Sequence, residues 1–128
     1  MDLNSVPSCI YSFPAYSCIG LTEKAAAELG KVSIGRFNFA GNGRALTAGA
    51  CEGFVKVVSD ASTHEILGIQ IIGNNAAEMI NAASVMLHLE MTAEEMQRVV
   101  FAHPSFSEAL REACLDSIGL SVHNIRRK

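Results

Sequence analysis

Two β-branched stretches set the pattern of this chain. Residues 53–58 (Gly-Phe-Val-Lys-Val-Val) and 65–72 (Glu-Ile-Leu-Gly-Ile-Gln-Ile-Ile) flank a polar connector, residues 59–64. Runs of this kind bounded by polar turn residues read as strands. They predict an antiparallel hairpin with His64 in its turn, exposed and uncoupled. Beyond them the period changes. Ala76, Met79, Ile80, Ala83, Met86 and Leu87 recur at helical spacing, so a helix over about 75–89 lays an apolar stripe on the sheet. His88 falls with Asn81 and Ser84 on the solvent side, and the methionines read as core filling.

Upstream, residues 9–12 and 17–20 are short extended pieces separated by Phe13 and Pro14. Thr22 caps a helix over residues 23–29, which is rich in alanine, with Gly30 just past its end. Between residues 31 and 39, Val32 and Ile34 are out of phase with Phe37 and Phe39. A bulge near Gly35 would bring all four to one face. Gly41-Asn42-Gly43 ends that strand and lacks the spacing of either nucleotide-binding loop, so it reads as a loop and not a phosphate site.

Towards the C-terminus, Thr92 and Glu95 form a capping box with Met91 and Met96 as its hydrophobic staple, predicting a short helix to about Val100. A last helix spans about 106–118, with Phe106, Leu110, Cys114 and Ile118 on its apolar face and Gly119 closing it. Ser105 is its expected cap. No internal repeat or low-complexity segment is present.

Composition narrows the classes. At 128 residues and 49% hydrophobic content, the chain has the size and core of one domain. The expected boundaries are a linker over residues 1–7, a domain over 8–120 and a tail over 121–128. A net charge of -3 gives no field for nucleic acid, and the only basic cluster, Arg126-Arg127-Lys128, reads as a solvated tail. No apolar run approaches the ~20 residues that cross a membrane, and no signal segment opens the chain, so a soluble cytoplasmic protein is expected. Cys9, Cys18, Cys51 and Cys114 are spaced too irregularly for a zinc motif or a redox pair and are expected to be reduced.

One stretch carries candidate chemistry: His103-Pro-Ser-Phe-Ser-Glu108. Proline pushes the preceding residue towards extended geometry, which holds His103 outside the helix that follows. Glu108 has two readings. Its carboxylate can reach back to the Ser105 backbone as the second half of a capping box, or it can bond one imidazole nitrogen and set the tautomer of a catalytic base. Cys114 is a poor nucleophile because it lies among apolar positions. His64, His88, His103 and His123 do not share the spacing of a metal site, so no metal is expected. A base without nucleophile, metal or cofactor loop implies that the reacting group comes from another domain or subunit.

The same segment resembles the His-Pro-Thr-Leu-Ser-Glu segment in the carboxy-terminal interface domain of the flavin-dependent pyridine nucleotide-disulfide oxidoreductases, most closely their dihydrolipoamide dehydrogenase branch. Further matches run in the same order: Val6-Pro7 through Tyr11 and Pro14, Ile19-Gly-Leu-Thr-Glu23, Asn42-Gly-Arg-Ala45, Gly53-Phe-Val-Lys56 and Gly73-Asn-Asn-Ala-Ala-Glu-Met-Ile80. Asn74 and Phe106 depart from the usual proline and leucine. The resemblance implies an α+β fold, an antiparallel sheet flanked by helices, used to form a homodimer. It also implies FAD and NAD in the full enzyme, a cis His103-Pro104 bond near the partner subunit's flavin, and His103 and Glu108 as an acid–base pair acting across the interface. The wider partners would be the missing FAD- and NAD-binding domains and a 2-oxo acid dehydrogenase complex. The alternatives are a glutathione-reductase-like relative and a purely structural self-association module. With no Gly-x-Gly-x-x-Gly turn and no closely spaced cysteine pair, the chain is expected to bind neither cofactor, to be inactive alone, and to be a piece of a longer reductase.

Overall fold

Five antiparallel strands form one sheet in the order β1-β2-β5-β4-β3. In this computed structural model, which describes residues 5–124, they are β1 (Ser8–Ile10), β2 (Tyr16–Gly20), β3 (Val32–Asn38), β4 (Gly53–Asp60) and β5 (Ile66–Gly73). The helices are α1 (Glu23–Leu29), α2 (Gly43–Thr47), α3 (Ala76–His88) and α4 (Glu108–Ser117), with short 3-10 turns at Phe39–Gly41 and Glu95–Gln97. The basic cluster at residues 126–128 and the first four residues of the expected linker lie outside the described residues.

The predicted β4–β5 hairpin forms, with Val55 opposite Ile71 and Val57 opposite Ile69. Its turn is set by Asp60, whose carboxylate accepts from the Ser62 and Thr63 amides, both at 2.7 Å. Strand alternation puts Val55, Val57, Ile69 and Ile71 on one face with Ile19 and Phe37, all at most 3% exposed. Helices α3 and α4 cover that face. The predicted stripe of α3 is the buried one: Ala76, Met79, Ile80, Ala83 and Met86. Helix α1 lies on the other face, tied there by Lys56 to Glu23 at 3.2 Å and capped by Thr22.

Four local readings need correction. Strand β3 pairs with β4 without a bulge from Val32↔Asp60 to Asn38↔Phe54; the irregularity lies in the β4–β5 ladder between Val58 and Ser59. Gly35 and Phe37 therefore face α4, whereas Val32 and Ile34 point the other way. Gly35 allows this close approach, since a Cβ there would meet the Ala113 carbonyl oxygen at 1.9 Å. Gly41-Asn42-Gly43 is not an open loop: Gly41 ends the 3-10 turn, Asn42 caps α2 and Gly43 begins that helix.

His64 is not uncoupled. Its ring bonds the Glu94 carboxylate, and its carbonyl accepts from the Ala93 amide at 2.9 Å, tying the hairpin turn to the segment after α3. That hydrogen bond from His64 holds the Glu94 carboxyl below the usual carboxylate range. Finally, the helix expected up to Val100 is only the turn Glu95–Gln97. The backward half of its capping box forms, with Glu95 accepting from the Thr92 amide at 2.7 Å.

Candidate active site

Glu108 makes both of the expected contacts at once. Its Oε2 accepts from the Ser105 amide at 2.9 Å, and its Oε1 faces His103 Nδ1 at 2.9 Å. Separate oxygens serve the helix start and the imidazole, which a carboxylate with several lone pairs allows. Burial pushes the Glu108 carboxyl up, but the hydrogen bonds from Ser105 and His103 outweigh it and hold the group below its ordinary value. An ionised Glu108 fixes the proton of the neutral ring on Nδ1, leaving Nε2 as the acceptor. The His103 side chain is 79% exposed, whereas Glu108 is 29% exposed. The pair is thus an imidazole presented outward on a largely covered carboxylate, and the His103–Pro104 bond is cis.

The expected Ser105 side-chain cap does not form. Helix α4 begins at Glu108 without a side-chain cap bond, and Ser105 Oγ is buried with no partner among the described residues. Cys114 is fully buried, and burial pushes its thiol up to about 12. It cannot serve as a thiolate near neutral pH. His64 and His88 lie outside this region, and His88 is exposed as expected.

Two features beside the pair escaped the sequence reading. Asn42, 3% exposed, bridges the start of α2 to the Ser105 carbonyl. Glu112, one turn after Glu108 and 4% exposed, accepts from Ser121 Oγ at 2.6 Å and from the Val122 and His123 amides at 3.1 Å. Its other oxygen meets His123 Nδ1 at 3.1 Å. His123 thereby borders the cleft that holds His103 and Glu108. No local signal marked it, since Glu112 falls opposite the predicted Phe106, Leu110, Cys114 and Ile118 face and is covered by residues 121–123 folding back over it.

Burial pushes the Glu112 carboxyl up, but the hydrogen bonds from Ser121 and His123 win and lower it. A carboxyl lowered by folding contributes stability in full above the unfolded glutamate value, about 4.3, and loses it as pH falls through the lower folded value. Residues 121–123 are therefore expected to stay docked at pH 5 and above and to release on acidification below about pH 4. Amide chemical shifts of Val122 and His123 followed by NMR check this. Shifts unchanged down to pH 2 would contradict it.

Residues 6–114 match the family model of the pyridine nucleotide-disulphide oxidoreductase dimerisation domain. Dihydrolipoyl dehydrogenase of Bacillus subtilis is 44% identical over 92% of this chain, which spans 26% of that protein. The Rhizobium etli dihydrolipoyl dehydrogenase is 43% identical over 92% of the chain and is covered over 25% of its own length. Among solved structures, the HOCl-induced flavoprotein disulfide reductase RclA from Escherichia coli superposes with a TM-score of 0.80 at 27% identity, covering 85% of this chain and 25% of that one. LpdA from Mycobacterium tuberculosis shares the fold, with a TM-score of 0.83 at 23% identity over 89% of this chain and 25% of its own. The chain thus spans about a quarter of the relatives it matches. It belongs to the dimerisation domains of the pyridine nucleotide-disulphide oxidoreductases, of the dihydrolipoyl dehydrogenase kind.

Proposed function

We propose that this chain is the dimerisation part of a dihydrolipoamide dehydrogenase and lends His103 and Glu108 to its partner's active site. The observation that carries the reading is the outward His103 ring with Nδ1 bonded to a carboxylate that folding keeps ionised. A thiol of dihydrolipoamide gives its proton to His103 Nε2, leaving a thiolate and an imidazolium whose Nδ1–H donates to Glu108. The thiolate attacks the redox disulfide of the partner subunit, forming a mixed disulfide and releasing a cysteine thiolate. His103 then holds the proton, and Glu108 stabilises the charge.

FAD and NAD would accept the electrons. This chain has no glycine-rich strand-to-helix turn to hold either, so both would sit in the rest of the enzyme and the chain alone would be inactive. Exposed apolar side chains support self-association, notably Tyr11 at 84% and Phe13 at 97% exposure. In this reading residues 1–7 are a linker, 8–120 the interface domain and 121–128 a tail. The homodimer works in the cytoplasm and serves a 2-oxo acid dehydrogenase complex.

The test is a chimera in which this chain replaces the matching quarter of the Bacillus subtilis relative. The chimera should sediment as a dimer and oxidise dihydrolipoamide with NAD, whereas the 128-residue chain should not. A dimer that turns over glutathione disulfide but not dihydrolipoamide would assign another substrate.

A further inference from the structure

Resting on the acid–base reading of His103 and Glu108, we infer that Asn42 is a positioning residue for that pair, acting through the main chain of Ser105. Asn42 is only 3% exposed, yet it sits between two elements far apart in sequence. Its Oδ1 accepts from the Ala45 amide at 2.9 Å, capping α2, and its Nδ2 donates to the Ser105 carbonyl at 2.9 Å across 63 positions. The Ser105 amide in turn donates to Glu108 Oε2, whose sister oxygen holds His103 Nδ1. The Ser105 backbone is therefore gripped from both ends, by Asn42 at its carbonyl and by Glu108 at its amide.

A second contact braces the same junction. Phe39, just before Asn42, meets Phe106, just after Ser105, edge to face with centroids 5.9 Å apart. The His103 loop is thus fastened to the end of β3 and not only to its own helix.

An amide suits this position because one short side chain must offer an acceptor to one element and a donor to the other. Serine keeps the cap through its single hydroxyl but lacks the separate Nδ2 that reaches the Ser105 carbonyl. Aspartate also keeps the cap, but turns an acceptor towards the Ser105 carbonyl. Freed at its carbonyl, the Ser105 turn lets the Glu108 and His103 geometry drift, and a misplacement near 1 Å can cost about 10²-fold in rate.

The experiment compares Asn42→Ser and Asn42→Asp. In the 128-residue chain, ¹⁵N NMR of the imidazoles reads the Nδ1–H···carboxylate signature of His103, with His64 and His123 as internal controls. In the chimera, kcat and KM for dihydrolipoamide are measured. Both variants should lose the His103 signature selectively and drop kcat about tenfold or more, with KM within about twofold. If Asn42→Ser does not fold, Asn42→Asp decides alone. An unchanged His103 signal with kcat within twofold of the parent overturns the inference, as does loss of the fold in both variants. A different failure, full activity in His103→Ala, would remove the acid–base reading, while the ring signal would still report whether Asn42 holds the loop.

Discussion

In the chimera, His103→Ala is expected to lower dihydrolipoamide oxidation by between about 10²- and 10⁴-fold, the range a positioned general base contributes. The loss should fall on kcat, since a proton acceptor acts in the transition state more than in binding. Dimerisation and melting temperature should stay close to the parent's. The His103 side chain is 79% exposed and, among the described residues, its one hydrogen-bonded partner is Glu108, so its truncation opens no cavity. Glu108→Gln should be milder, because an amide oxygen can still accept from Nδ1–H but cannot stabilise the imidazolium by charge. Sedimentation and steady-state rates on the same preparations make the check. Undiminished turnover in His103→Ala would reduce the domain to a dimer contact.

Replacing Gly35 with alanine is expected to cost about 3 kcal/mol or more. The added Cβ would lie 1.9 Å from the Ala113 carbonyl oxygen and 2.5 Å from the Ser117 amide nitrogen. Both are backbone atoms of the α4 region, so no rotamer relieves the contact. Overpacking by even one methyl typically costs 1–3 kcal/mol, and relief here requires sliding a helix. For a domain of this size the melting temperature should fall by roughly 10 °C. Because α4 begins at Glu108, its displacement should also disturb the His103 signal. Gly43→Ala is the control: nothing lies within 4 Å of its Cβ position, and its effect should stay within about 0.5 kcal/mol. Equal melting temperatures for the two variants would mean that the sheet and α4 pack less closely than described.

The contrast between these two sites shows how legibility divides. His103 and Glu108 lie five positions apart, and proline geometry and helix-start chemistry act over that range, so their pairing was one of the two readings of Glu108 that the local sequence offered. The β4–β5 hairpin and the buried stripe of α3 were legible for the same reason, since periods of two and of about 3.6 are properties of neighbouring residues. Local pattern could not rank the bulge near Gly35 against a flat β3. That choice depended on α4, which places Ala113 and Ser117 over the strand. The β5-β4-β3 order of the sheet creates the surface on which α4 rests.

By itself, then, the sequence determined the strands, helices α1, α3 and α4, most of the core, and the local pair with its helix-start carboxylate, but not helix α2. Only the tertiary structure decided that Asn42 grips Ser105, that Glu112 collects residues 121–123, and that His64 meets Glu94. Each joins groups whose separation along the chain exceeds any local period. A buried amide or carboxylate takes whichever partner the packed elements bring within hydrogen-bond reach, and that partner exists only once the sheet and α4 have come together.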